Sequence, residues 1–332
     1  MSHAVETMMY ANKMPWHGLG TYVGEEDVDT ATAIREADMD WTVSKEGIYT
    51  RDNELIPEYY ALTRSTDKRV FGMVKDRYVP LQNQEAFSWF DEISMTGKAR
   101  IHTAGSLHNG ATVWILAQVE GNINVADGDD IAKYLLIHTD HSGKGSVNIK
   151  FTPVRVVCSN TLNAALQSSD SLHVRIRHMG DVQGKLTEAK RIIGVIDEKF
   201  DAVAEAYGIL AETERDVMAE YFEPFVGGLF DISPKNSVRL LDNIQREKLE
   251  NNEKASDMIQ HLSKIYNHSN TLNNPAIEST LWKGYNAITE YFDHEAPYTP
   301  TEGERRMNSL IFGAKSRQKE HAFTLAMKSA QL

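Results

Sequence analysis

Over roughly the first half of the chain the apolar residues recur mostly with the period of strands. Between residues 41 and 78 the runs WTVSKEGIYT, YYALTR and RVFGMVKDRY alternate with turn residues, which predicts an antiparallel meander. Pro80 ends it. In 82–93, Ala86, Trp89, Phe90 and Ile93 fall at i, i+3, i+4 and i+7, the spacing of a helix with one core-facing side. Strand patterns return at 99–104, 111–119 (with Asn109-Gly110 as the turn signal), 134–139 and 172–177. Ahead of all these, Pro15-Trp16-His17-Gly18-Leu19-Gly20 reads as a turn anchored by Trp16, or as Trp16 and His17 stacking on a base. An acidic capping region at 25–30 then leads into a short helix at 31–37.

From Asp181 the period changes. Ala189, Ile193, Ile196, Phe200, Val203, Tyr207 and Leu210 form a helical stripe, fit for a core or for contact with a second copy. Further helices are expected near 215–222, 237–266, 277–292 and 301–327, punctuated by Gly227-Gly228, Asn273-Asn274-Pro275 and the prolines at 297 and 300. In 277–292, Leu281, Tyr285, Ile288 and Phe292 share one face. These patterns give an α+β fold: an antiparallel β-sheet core with packed helices, followed by a helical C-terminal region. The expected organisation is an N-terminal arm and short helix over 1–40, a β-rich core over 41–180 and a helical region over 181–332.

The stretch KGSVNIKFTPVRVVCSNTLNAAL at 144–166 joins these regimes. Val147, Ile149 and Phe151 alternate with Asn148, Lys150 and Thr152 as in a half-buried strand. Pro153 interrupts, 154–158 resumes as β-branched sequence, and Ser159 and Asn160 are helix-capping residues before a short helical run. A strand entering a capped helix leaves N–H groups facing outward with the positive end of the helix dipole behind them, which suits a phosphate. An ordinary junction inside a core has the same pattern.

Charge sharpens this reading. The 332-residue chain carries −12 overall, which argues against a generic nucleic-acid binder. Residues 1–60 hold 4 basic and 12 acidic residues, whereas 142–191 hold 8 basic and 3 acidic. That middle segment is +5 and the remainder −17. A local basic face of this kind can follow a phosphate backbone, or simply balance acidic neighbours. The candidate nucleic-acid contacts are Lys144, Lys150, Arg155, Ser159, Asn160, Arg175, Arg177 and Lys185.

Other chemistry finds less footing. Gly143-Lys144-Gly145 lacks the rest of a phosphate-binding loop and reads as a hairpin turn. His138 and His141 flank Asp140, but without a second ligand cluster they read as surface-loop histidines. Cys158 is the only cysteine, which excludes an internal disulfide and a multi-cysteine zinc site. It reads as a small buried hydrophobe. No nucleophile elbow, zinc-protease helix or dinucleotide loop occurs, so no catalytic residue, cofactor or metal is assigned. The absence of a membrane-length apolar run or a signal-peptide layout points to the cytoplasm.

PWHGLG at 15–20, TPVRVVCSNTLNAAL at 152–166 and LWKGYNAITEYFDH at 281–294 together resemble a family of phage- and plasmid-borne proteins of unknown function. Lys283-Gly284 stands where the resemblance leads one to expect a glycine-alanine pair. The resemblance implies a mobile-element setting and names no reaction. Mobile elements of this kind carry single-strand DNA-annealing recombination proteins, which form rings or filaments and hold DNA along a basic groove. The leading expectation is therefore an oligomeric protein that binds single-stranded DNA. A metal-dependent enzyme acting on nucleic acid or nucleotides, and an acidic counter-defence protein that binds a host factor, are the alternatives.

Overall fold

A computed structural model describes residues 5–12, 14, 20–143, 146–155, 173–176, 182–297, 309 and 313–331. The expected turn at 15–19 and the capped helix after Asn160 lie outside these residues. By compactness the chain falls into two units, each assembled from separated segments. The first comprises Met1–Glu120, Tyr134–Phe151 and His173–Asp197; the second comprises Gly121–Lys133, Thr152–Leu172 and Glu198–Leu332. No helix among the described residues is long and apolar enough to cross a membrane.

The strands form two sheets. One has seven strands, β1 (Val5–Tyr10), β2 (Thr21–Tyr22), β6 (Ala99–Leu107), β7 (Thr112–Ala126), β8 (Asp129–Asp140), β9 (Val147–Arg155) and β10 (His173–Ile176), in the order β10-β9-β8-β7-β6-β1-β2. The other is the expected meander of β3 (Val43–Tyr49), β4 (Leu55–Arg64) and β5 (Val70–Lys75). Asn109 and Gly110 both take positive φ in the β6–β7 turn, as their residue types favour.

Two expectations about breaks are corrected. Pro153 does not interrupt β9. The strand continues through it to Arg155, beyond the Val147–Lys150 stretch that pairs with β10. The helix expected over 82–93 is instead α2 (Asn83–Phe87), a 3₁₀ turn (Ser88–Phe90) and α3 (Asp91–Ser94). Ala86, Trp89, Phe90 and Ile93 are all buried as their spacing requires. However, the Trp89 indole N–H donates to the Ala86 carbonyl at 2.7 Å, engaging a carbonyl where the helical ladder tightens. The Asp91 carboxylate accepts from the backbone N–H and hydroxyl of Thr30, holding the start of α1 (Thr30–Glu36).

Within the first unit a buried arginine joins the two sheets. Arg64, at the end of β4, donates to both Glu6 oxygens at 2.8 and 2.9 Å and to both Asp67 oxygens at 2.9 and 2.7 Å. Glu6 lies on β1, so one guanidinium ties the small sheet to the large one. Its plane also lies over Trp41. Beside it His141 is buried, stacked on Phe71 and edge-on to Trp41. The surface-loop reading of this histidine is thereby corrected. Asn83 Nδ2 donates to the Met39 carbonyl at 2.7 Å, which leaves Asn83 Oδ1 to accept from His141 Nε2–H at 2.8 Å. Burial depresses the His141 pKa from 6.5 to about 4, against a smaller upward pull from Asp140.

The turn after β8 rests on the small sheet through a close backbone approach. A Cβ built on Gly72 would stand 2.3 Å from the Ser142 carbonyl oxygen. Gly143, at φ +90°, sits against Val74 and Leu62.

In the second unit the central element is α8 (Leu281–Glu290). Residues 281–289 are all buried, so the helix is enclosed all round rather than amphipathic as its apolar face suggests. Thr280 caps it, and a π-helical turn, Tyr291–Glu295, continues it. Trp282 packs on Tyr207 with ring centroids 4.6 Å apart and donates its indole N–H to Asp129 at 2.8 Å. Asp129 starts β8, at the tip of the β7–β8 hairpin. Lys319 on α9 (Ala314–Ala330) is fully buried and pairs with the buried Asp293 at 2.7 Å. Gly227-Gly228, expected as punctuation, lies inside α5 (Glu223–Leu229), where Ser233 and Lys235 fold back against the glycines. The single helix expected over 237–266 is two, α6 (Asn243–Asn251) and α7 (Glu253–His268). Asn252 divides them and caps the second through its side chain.

The long helix α4 (Val182–Glu212) carries the stripe expected from the sequence. Ala189, Ile196, Phe200, Val203, Tyr207 and Leu210 are buried, with Ile192 rather than Ile193 filling the step between the first two. The chain itself covers this stripe, so it offers no face to a second copy.

Two measurements test this account. Gly72→Ala should lower stability by roughly 1–3 kcal/mol, because the new methyl meets backbone. Gly194→Ala on α4, where nothing lies within 4 Å, should raise it by about 0.5–1 kcal/mol in the same urea melts. The second concerns His141. Above pH 6.5 its imidazole is neutral in both folded and unfolded chains. Between 6.5 and about 4 the unfolded chain takes up a proton that the folded chain refuses. Stability should therefore be complete above pH 6.5 and fall by roughly 3 kcal/mol on acidification to pH 4. Urea melts of His141→Gln should lose that part of the slope.

Candidate nucleic-acid interface

Three of the basic residues singled out from the sequence, Lys150, Arg155 and Arg175, fall on the two strands at one end of the large sheet. Lys150 lies on β9, half-buried and directly across from His173 of β10. Arg175 of β10 is across from Asn148, two residues from Lys150. The backbone register thus sets these two basic positions diagonally, two rungs apart with Ile149–Val174 between them. Residues diagonal to one another on such a ladder are about 7–8 Å apart at Cα. Arg155 is the last residue of β9 and Lys185 lies in the first turn of α4. Lys144, Ser159, Asn160 and Arg177 lie outside the described residues.

Val147, Ile149 and Phe151 are buried while Asn148 and Lys150 are half-buried, so the alternation read from the sequence is realised over 147–151 but fails at Thr152, which is buried. That alternation is why a lysine can occupy a strand inside the sheet: its side chain leaves on the face opposite the packed one.

A second surface of the same unit escaped the reading of the sequence. The outer end of the β3-β4-β5 sheet exposes Tyr49 at 57% and Tyr59 at 42%. The two faces differ. Tyr59 shares one with Met73 and Lys75, whose ammonium lies 5.6 Å from the Tyr59 ring centroid. On the other, Gly47 pairs with Tyr60 and Lys45 pairs with Leu62. The Lys45 ammonium sits 4.9 Å from the Tyr60 centroid, donates to the Asp76 carbonyl at 2.6 Å and faces the Asp76 carboxylate at 3.9 Å. Gly47 lacks a side chain where Tyr49 crosses it: a built Cβ would lie 3.5 Å from Tyr49 Cε2 and 3.0 Å from Leu55 Cδ1. Tyr49 thus passes close to Gly47 and remains largely exposed. The inner half of this face, at Leu62, Gly72 and Val74, carries the Ser142-Gly143 turn that leads into β9.

The signal for this surface was present as a Tyr-Tyr pair and a glycine in an alternating strand. Alternation says only that Tyr59 and Tyr60 face opposite ways. It does not say that neither ring is fully covered. Elsewhere, among the described residues, no group of three His, Cys, Asp or Glu side chains is placed to hold a metal ion.

Comparison with curated proteins and with solved structures gives no match. The family described as domain of unknown function DUF932 matches residues 70–312, well over half of the chain, and takes in two of the three motifs noted above. The chain belongs to the DUF932 family.

Proposed function

We propose that this is a nucleic-acid-binding protein of a phage or plasmid, an oligomer that holds single-stranded DNA in annealing or recombination. The observation that carries the reading is the diagonal placement of Lys150 and Arg175, two rungs apart on the β9–β10 ladder, within the +5 segment of a chain whose remainder is −17. A basic strand pair on an otherwise acidic protein confines phosphate contact to one track and repels the polyanion elsewhere. The mobile-element setting draws on the motifs at 152–166 and 281–294. Assembly draws support from exposed Leu240, in the segment before α6, and exposed Ile244, in its first turn.

The test is a fluorescence-anisotropy titration with a labelled oligo-dT and a duplex of equal length, with and without magnesium, at roughly 50 and 200 mM salt. Wild type should bind the single strand without cleaving it, and log K should fall linearly with log salt. Replacing Lys150 and Arg175 by Ala should weaken binding alike for all base sequences and flatten the slope by about two units, one for each phosphate left without its cation. Light scattering should give a mass above the 37.4 kDa of one chain. Turnover of the oligonucleotide would favour the metal-dependent enzyme instead. No binding at either salt would sink the nucleic-acid reading.

A further inference from the structure

We infer that one face of α9, carrying Arg317, His321 and Lys328, joins Lys235 from the segment after α5 to form a second phosphate-contact surface for single-stranded DNA. The inference rests on the nucleic-acid reading above and adds to it a contact in the second unit. Three observations lead there.

The first is spacing. Arg317, His321, Thr324 and Lys328 follow one another at intervals of four, three and four residues, so they share one face of the helix. The stripe runs about 16 Å along the axis. Arg317 and Lys328 are exposed, while His321 and Thr324 are half-buried. Side chains lean toward the start of a helix, so Lys328 leans along the stripe toward His321. Lys235, also exposed, joins from outside the helix. A Cβ built on Gly228 would stand 3.4 Å from Lys235 Cα and 3.8 Å from His321 Cε1. The lysine backbone and the imidazole edge thus meet over the same glycine.

The second is the lack of compensation. Charged helix faces ordinarily carry both signs, so that pairs form three or four residues apart. Among the described residues Arg317, Lys328 and Lys235 enter no ion pair. The helix holds four basic residues and one acidic residue, Glu320, which stands at the edge of the stripe and is likewise in no ion pair. Residues 198–297 of the same unit hold nine basic and 18 acidic residues, a net of −9. A polyanion is therefore drawn to the stripe and repelled around it.

The third is the field at His321. Burial lowers its pKa, and the Lys235 and Lys328 ammonium groups lower it further, with no carboxylate acting against them. The imidazole thus registers a positive potential that a bound phosphate would cancel.

The test uses the full chain and the labelled oligo-dT. The triple variant Lys235→Ala, Arg317→Ala, Lys328→Ala replaces exposed groups, so its thermal midpoint should match wild type. It should bind oligo-dT roughly tenfold or more weakly at about 50 mM salt, alike for all base sequences, and flatten the salt slope by about two units. Arg317→Lys with Lys328→Arg keeps both charges and should bind like wild type. Lys254→Ala with Lys264→Ala, exposed on α7 of the same unit, should change neither affinity nor slope. In proton NMR, the imidazole signal that is lost in His321→Gln should titrate below the ordinary 6.5 in the free protein and move up when oligo-dT is added. Wild-type affinity and slope in the folded triple variant, or an imidazole that oligo-dT leaves unmoved, would overturn the surface while leaving the basic strand pair standing. A fall in mass for the triple variant without DNA would also overturn it, by making the stripe a contact between copies. Wild type that binds no oligonucleotide would remove the nucleic-acid reading itself and this surface with it, a result distinct from the other two.

Discussion

The first unit depends on a buried guanidinium. Taking an arginine out of water costs several kcal/mol unless its donors are met, and Arg64 meets them with two carboxylates from different parts of the chain. Glu6 comes from the first strand of the large sheet and Asp67 from the turn after β4. Because a bidentate fork tolerates little change in angle, these contacts fix the small sheet against the large one as apolar packing alone does not. Trp41, Phe71 and His141 fill the space beside it. The exposed tyrosine surface described above follows from this constraint. The sheet is clamped at its inner end by Arg64 and by the turn seated on Gly72, so its outer end projects with tyrosines that the core has no means of covering.

Much of this architecture was legible in the residues, and the failures have physical causes. The α4 stripe was readable because a helix with an unbroken 3.6 period has one way to bury seven apolar residues, and the small offset to Ile192 is the drift between 3.5 and 3.6. The meander was readable because its turns carry polar turn-forming residues, such as Asn53 before β4, which takes the positive φ its type favours. What escaped depends on distant partners. Nothing near Gly72 in sequence announces Ser142, and nothing near His141 announces Asn83. The helix over 82–93 broke for a subtler reason. Its apolar spacing is correct, yet an indole N–H took a carbonyl within the same turn, and spacing does not register hydrogen-bond competition.

The candidate site divides along the same line. Basic residues announce themselves by composition, and the register then decides which of them stand together: Lys150 and Arg175 do, while Arg155 closes the strand and Lys185 belongs to another element. Aromatic residues announce nothing by composition, since a tyrosine in a strand is more often core than surface. Only the fold separates Tyr207 and Tyr285, sealed around Trp282, from Tyr49, largely exposed beside a glycine. Family membership adds kinship here and leaves the chemistry to be read from such differences.

The interleaving of the two units has a consequence for how this protein comes into being. The tip of the β7–β8 hairpin, Gly121–Lys133, belongs with residues beyond 198, while the strands on either side of it belong with the N-terminal half. On a ribosome that tip emerges long before Trp282, the partner of its buried Asp129. The carboxylate must wait in water for about 150 residues of synthesis, at roughly 5–20 residues per second, before its hydrogen-bond donor exists. Neither unit is a contiguous stretch of gene, so no single cut yields two self-sufficient fragments. A single crossover within the gene would therefore carry across part of each unit, unlike exchange in chains built as beads on a string.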